Sequence, residues 1–386
     1  MKIAMISQRF PLTSAPNGGV PAATYHLCLA LSRQPDIELV IIRTLSDPED
    51  LQITDCQGIQ VVPLEYLRRF SKPLALLLLP LFQVRRALKR IKPDLIHVQD
   101  SSLLATCLPG PQVFTLHGQV EEDARLRKQT LYAPLRAFLL GLFFGWPRRW
   151  VRNVIAISPH SRTILKPGSP RRIWEIPNAI SDDFFDLAPK HALGKTVIFS
   201  AAHVSRLKNT EALISALAVL AKTNATVELR VAGSLQEPDY HHSCLQLARE
   251  LDVADRVIFL GTLDLPRLLE EMQRASVFAL CSLRENAPMA VAEAMAAGVP
   301  VVASQVGGIA WMLDEGRAGL LVQNPRDPEA IATALCGALE PATHARLSRE
   351  GRARAEMFRA DRVAAQTVAV YREILQSHNR PLAQRI

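Results

Sequence analysis

The chain has 386 residues, 48% of them hydrophobic and 21% charged. It is too long for one ordinary core and too apolar to be disordered, which suits two domains of about 150 to 200 residues each. The formal net charge of +8 lies wholly in the first half, where residues 1–190 carry 24 Lys+Arg against 16 Asp+Glu, while residues 191–386 carry 21 of each.

In chain order, Lys2–Ser7 reads as a core strand and lacks the charged start, long apolar region and cleavage site of a signal peptide. Gly18-Gly19 then open a helical pattern over Ala22–Leu31. Paired glycines allow close backbone approach and leave helix N–H groups facing a phosphate or an acceptor oxygen. Strands are expected at Ile37–Ile42, Asp94–Val98, Gln112–Leu116 and Asn153–Ile157. His117 stands at the carboxyl end of the third, where open α/β sheets bind ligands.

Two stretches of this half are basic and acid-free: Tyr66–Pro93 with eight basic residues and Ala124–Trp174 with eleven. Each contains an apolar run, Leu74–Phe82 and Ala137–Trp146. Segments 66–93 and 124–152 therefore suit an anionic membrane surface better than nucleic acid, which is not expected as a partner. The other reading is two buried core helices with solvated basic flanks. No apolar run reaches the roughly 18 to 20 residues that span a bilayer.

The periodicity breaks over Asn178–Lys195. A second set of strands follows at Thr196–Ala201, Thr226–Ala232, Val257–Leu260, Ser276–Cys281 and Val299–Ala303. Such βαβ alternation with near-continuous apolar strands predicts two Rossmann-like α/β domains with parallel sheets. The six cysteines show no zinc or C-x-x-C spacing and read as buried free thiols of a reducing cytoplasm. No D-x-D metal motif occurs, so no metal and no cofactor are expected. Side-chain cations and helix ends would take a divalent ion's place.

The richest stretch is Arg284–Ala303, in which Glu285 sits in a loop and Glu293 inside a short helix that Gly298 stops. The helix start offers unpaired N–H groups and a positive dipole end to a diphosphate. An ionised glutamate is acceptor-only and can hold two sugar hydroxyls. Upstream, Ser200-Ala-Ala-His-Val-Ser-Arg-Leu-Lys-Asn209 supplies His203, Arg206 and Lys208 at a strand end, where fixed cations stabilise a departing nucleoside diphosphate.

Together these residues resemble glycosyltransferase family 4, retaining enzymes with the GT-B fold, over nearly the whole chain. Glu285 and Glu293 match its E-x7-E signature. The resemblance implies two Rossmann-like domains with parallel sheets facing across a cleft. Residues 1–185 would form the acceptor domain and 186–360 the nucleotide-sugar domain, with 361–386 a helix returning to the first. It further implies that Glu293 holds the donor ribose, Glu285 touches the donor sugar, and the donor-binding stretch Asn286, Ala287, Pro288 and Met289 gives backbone N–H groups, from all but the proline. His117 would hydrogen-bond a sugar hydroxyl and Gly18 and Gly19 would form the N-terminal glycine loop. Lys208 would bind the diphosphate, with His203 and Arg206 as rivals for the family's arginine. Gly233 and the backbone near Leu283 and Arg284 would line the base pocket. Asn178 precedes Ala179 where a glycine is usual, and Gln99 replaces a common second histidine.

The implied function is transfer of a sugar from a UDP- or GDP-linked donor to a glycan or lipid-linked acceptor, in cell-surface polysaccharide or glycolipid synthesis. The place would be the inner face of the plasma membrane. The alternatives are a catalytically degenerate nucleotide-sugar-binding protein, or an epimerase or hydrolase on the same fold.

Overall fold

The structure, a computed structural model, describes residues 1–8, 10–12, 18–46, 48–52, 54–65, 73–99, 101–118, 138, 141–165, 171–188 and 195–379. Asn17 and the expectations for 66–72, 124–137 and 139–140 lie outside them. The chain divides into two compact units, Met1–Ala179 with Ala360–Ile386, and Ile180–Arg359.

The first unit is built on an eight-stranded sheet: β1 (Lys2–Ser7), β2 (Glu38–Ser46), β3 (Asp55–Cys56), β4 (Ile59–Glu65), β5 (Leu95–Val98), β6 (Gln112–Leu116), β7 (Asn153–Ala156) and β8 (Arg172–Glu175). Their order is β3-β4-β2-β1-β5-β6-β7-β8, parallel except for the β3–β4 pair. Side chains alternate across β1: Ile3 and Met5 join a core on one face, and Ala4 and Ile6 join the core on the other. The first core takes in α1 (Gly19–Ser32), and the second takes in α2 (Pro73–Ile91) and α3 (Ser102–Cys107). A one-turn α4 (His160–Ile164) follows β7.

In the second unit, β9 (Thr196–Ala201), β10 (Val227–Ala232), β11 (Val257–Gly261), β12 (Val277–Leu280), β13 (Val301–Ser304) and β14 (Leu320–Val322) form a parallel sheet ordered β11-β10-β9-β12-β13-β14. Its helices are α5 (Thr210–Ala221), α6 (Pro238–Glu250), α7 (Leu265–Arg274), α8 (Met289–Ala296), α9 (Ile309–Met312), α10 (Pro328–Leu339) and α11 (Pro341–Ala355). The sequence order reverses between β9 and β12. The carboxyl ends at such a switch point diverge and leave a crevice for ligands.

The terminal helix α12 (Ala360–Asn379) belongs to the first unit, where Val363, Ala364, Val368, Tyr371 and Ile374 share the core of α1. Trp174 of β8 donates to Glu373 at 2.9 Å, and Arg172 donates to Ser377 at 3.0 Å, which fixes the helix along the sheet edge. The helix is longer than the expected Asp361–Leu375.

Four strands were not expected from sequence. Pro63 interrupts the apolar run of β4, the two-residue β3 has no pattern, β8 is an edge strand with charged ends, and β14 has only three residues. Helix α1 starts three residues early because Gly18, at φ 101° and ψ 156°, takes a backbone conformation that favours glycine and ends the preceding chain there. The cysteines are all free, but Cys336 is exposed and Cys107 half-buried, correcting the expectation that all six are buried. Helical spacing places Cys336 on the solvent side of α10, a face that an apolar-run reading does not distinguish.

Candidate donor site and histidine cluster

Lys208 and Glu285 come together at the switch point of the second unit. Lys208 closes the loop after β9, and Glu285 stands in the loop after β12. Lys208 Nζ lies 2.5 Å from Glu285 Oε1, and the Ser282 hydroxyl donates to the same oxygen at 2.7 Å. Glu285 is 9% exposed and Lys208 21%, so the pair is shielded enough to hold its geometry yet open on one side.

Backbone bonds set this meeting. Leu283 N–H donates to Leu207 O at 2.9 Å, which docks the two loops together. Asn209, in the left-handed conformation at φ 58°, donates from its amide to Cys281 O and Pro325 O at 3.0 and 2.6 Å. Gly308 N–H donates to Asn286 O at 2.9 Å. Gly307, at φ 59°, lies so close to the other loop that a Cβ on it would stand 1.7 Å from Glu285 O. No side chain fits there.

The loop leads into α8. Pro288 is its N-cap, not a first-turn residue as expected, because its ψ of 123° is still extended. The helix has no side-chain cap and no acidic residue in its first turn; Val291 N–H donates to Pro288 O at 3.2 Å, and the N–H groups of Met289 and Ala290 are left to a ligand. The other end is fully closed. Gly298 at φ 74° donates to Met295 O and Val299 to Ala294 O, a Schellman pair. Arg352 adds a cation there, donating to Ala297 O at 3.0 Å. Asn286, Ala287 and Pro288 are half-buried, whereas the Met289 side chain is in the core and leaves only its backbone to a ligand.

Glu293 lies one turn into α8. Among the described residues, no hydrogen bond or ion pair meets its carboxylate, and burial pushes it up from 4.5 to about 7. A half-buried carboxylate without a cation is costly, and the cost falls away when hydroxyl donors reach it.

Of the remaining expected donor residues, His203 Nδ1 lies 2.7 Å from the Ser234 hydroxyl. Arg206 is half-exposed, with its guanidinium over the Tyr240 ring at 5.3 Å and 3.8 Å from Glu237. His203 is thus held at the end of β10, and Arg206 leans onto α6. Gly233 sits where a Cβ would fall 2.0 Å from Ala202 O, so its evident role is to let the β9 and β10 loops touch. Sequence reasoning missed Ser282, which carried no signal, and Asn209, which was read only as part of the Lys-Asn pair.

The first unit gathers a different group. His117 Nε2 lies 2.8 Å from Gln99 Oε1, and Asn178 hydrogen-bonds the same ring. Burial lowers His117 from 6.5 to about 4, with the Asn178 bond opposing, so the ring is neutral at pH 7. His97, behind it, is fully buried and lowered to about 3. Gly18 caps α1, while the space beside Gly19 is open. His97, Gln99 and Asn178 were legible only as pieces of a resemblance, since a buried polar cluster has no periodicity.

The unusual acid at Glu293 has a measurable consequence. The folded state holds its proton more tightly than the unfolded chain, so this contribution is full below pH 4.5 and lost as pH rises through about 7. Glu293→Gln should therefore stabilise the ligand-free protein at pH 8 by on the order of 2 kcal/mol and change little at pH 5. Denaturant melts at both pH values check this, and a gap that does not grow with pH would contradict it.

The family model described as Glycosyltransferase Family 4 matches residues 17–184, and the one described as Glycosyl transferases group 1 matches residues 183–354. A D-inositol 3-phosphate glycosyltransferase of Streptomyces avermitilis is 34% identical over 190 residues, 47% of this chain and 40% of that protein. The match thus spans well under two thirds of the relative's own length. Among solved structures, a sucrose-phosphate synthase from Thermosynechococcus elongatus has a TM-score of 0.81 at 21% identity, covering 97% of this chain and 99% of that one. Anabaena HepE in complex with UDP and glucose has a TM-score of 0.72 at 20% identity, covering 97% and 100%. These likenesses give the fold as GT-B, and with the two matched models they place the chain in glycosyltransferase family 4.

Proposed function

We propose that the protein is a retaining glycosyltransferase. It moves a hexose from a UDP- or GDP-linked donor to a glycan or lipid-linked acceptor, in cell-surface polysaccharide or glycolipid synthesis. The observation that carries this reading is the Lys208–Glu285 pair beside the uncapped start of α8, with unpartnered Glu293 one turn inside. HepE with UDP and glucose is a same-fold precedent for such ligands.

In this reading the donor diphosphate takes Lys208 and the backbone N–H groups of Asn286, Ala287 and Met289, Pro288 having none, while Glu293 ionises to accept two ribose hydroxyls. Glu285 is freed from Lys208 as the phosphate arrives and turns to the sugar. Departure of the nucleoside diphosphate spreads negative charge onto Lys208 and the helix end, which are fixed in advance and need no reorganisation. The acceptor attacks the same face of the anomeric carbon, and its proton passes to the leaving phosphate oxygen. His117, neutral at pH 7, would exchange Asn178 for a sugar hydroxyl and would not act as a base. Side-chain and helix charge do the work of a divalent ion, so no metal or cofactor is part of this proposal.

The test is transfer from UDP- and GDP-hexoses to lipid and glycan acceptors, with the product anomer read by NMR. Retained configuration, a rate indifferent to EDTA, and a loss of about 100-fold or more in Lys208→Ala are expected. An inverted product would sink the mechanism. Turnover without acceptor would indicate a hydrolase, and binding without transfer a degenerate scaffold.

We also propose peripheral attachment to the inner face of the plasma membrane. Among the described residues no helix is long and apolar enough to cross a membrane. In α2, Val84, Ala87 and Leu88 are core, so that face fits the core-helix reading. Its other face exposes Phe82 with Arg85, Arg86, Lys89 and Arg90. Arg85 donates to Cys107 O of α3, and Thr106 of α3 to Pro147 O, which ties α2 to the segment carrying Trp146 and Trp150. Those two rings meet edge to face at 4.4 Å and stand 54% and 42% exposed. Exposed tryptophans among basic residues suit an interfacial surface. Sedimentation with anionic liposomes should be strong at low salt and fall as salt rises. No binding at low salt would remove this proposal.

A further inference from the structure

His117 is the end of a buried polar chain that reaches the terminal helix. Gln99 and His117 each stand one residue past neighbouring parallel strands, β5 and β6. Gln99 Nε2 lies 3.1 Å from His97 Nε2 and 3.1 Å from Met5 Sδ. His97 Nε2 is also 2.7 Å from the Thr115 hydroxyl, and His97 Nδ1 is 2.6 Å from the Tyr371 hydroxyl of α12. Gln99, His97, Thr115 and Tyr371 are all buried.

The donor and acceptor inventory then fixes the protons. A thioether sulfur only accepts, so the nitrogen end of the Gln99 amide faces Met5 and His97. His97 Nε2 receives that N–H, which puts its own proton on Nδ1, donated to the Tyr371 oxygen. The oxygen end of Gln99 faces His117 and can only accept, so His117 carries its proton on Nε2 and keeps its lone pair on the buried Nδ1. A cavity of about 20 Å³ adjoins this chain, and His97 and His117 are the only titratable groups on its wall.

We propose that Gln99 is a positioning residue for His117, fixing the imidazole as the Nε2–H tautomer through a buried chain that ends on Tyr371 of the terminal helix. Its effect on catalysis rests on the reading of His117 as a sugar-binding group. Nδ1 is buried in the ligand-free protein; once uncovered by donor binding it is the acceptor a sugar hydroxyl would donate to, and a ring free to change tautomer would present it only part of the time. Of the two site histidines, only His117 is placed to meet substrate, and His97 acts through Gln99.

The experiment is nitrogen-15 NMR of the histidine rings in the full-length protein, paired with transfer kinetics. Wild type should show His117 protonated on Nε2 alone. Gln99→Met should bring in the Nδ1–H form and lower kcat about tenfold with donor KM little changed. Gln99→Glu keeps an acceptor toward His117 but adds a negative charge, so its rate profile should gain a step between pH 5 and 8 that wild type lacks. A folded Gln99→Met with His117 still wholly Nε2–H, or a Gln99→Glu profile that matches wild type, would overturn the proposal. An altered tautomer with an unchanged transfer rate would support the positioning role and count against the sugar-binding reading of His117.

Discussion

The chemistry of the second unit depends on the docking of three strand-end loops onto one another. Parallel strands end with their carbonyls and following loops on one side of the sheet, and those loops diverge where the strand order reverses. Here the divergence between β9 and β12 is bridged by Leu283 N–H to Leu207 O and by the amide of Asn209. Gly308 then pins the third loop to Asn286, an approach that glycine at 307 alone allows. Lys208 and Glu285 are 77 residues apart in sequence and meet only because these backbone bonds are in place.

The same construction explains which groups are strained and which are satisfied. Lys208 and Glu285 neutralise one another, with Ser282 completing the carboxylate. Glu293 has no such arrangement and holds its proton to about pH 7. A site made to bind hydroxyls leaves acceptors unpaired in the free protein, and native structures concentrate such costs where ligands bind. The first unit follows the opposite plan. Its buried histidines are kept neutral and are tied into a hydrogen-bonded chain, which rigidifies the core beneath the site residue.

The fold was largely legible from the chain because ten of the described strands are short runs rich in β-branched and other apolar residues, in βαβ alternation. The strands that escaped are short, interrupted by proline, or at a sheet edge, where burial on two faces no longer writes itself into the sequence. Glu285, Glu293 and Lys208 were legible as a spaced pattern, and the loop and helix assignments of the two glutamates agree with the structure. What could not be read was pairing. Nothing local to Ser282, Asn209 or Gln99 announces partners that lie on other strands, and the choice between His203 and Arg206 became concrete only through Ser234, Tyr240 and Glu237. Gly233 and Gly307 were visible as glycines, but their reason is a close backbone approach that only the folded chain contains.

The central claim is that Glu293 ionises to hold donor hydroxyls beside Lys208 and the α8 start. Calorimetric titration with a nucleoside-diphosphate hexose, whose esterified diphosphate does not titrate near pH 7, tests it most directly when repeated in buffers of different ionisation heat. With the free carboxyl near 7, binding at pH 7 should release about half a proton, and the release should vanish in Glu293→Gln. Tight binding with no proton release, or with release unchanged in Glu293→Gln, would contradict the account.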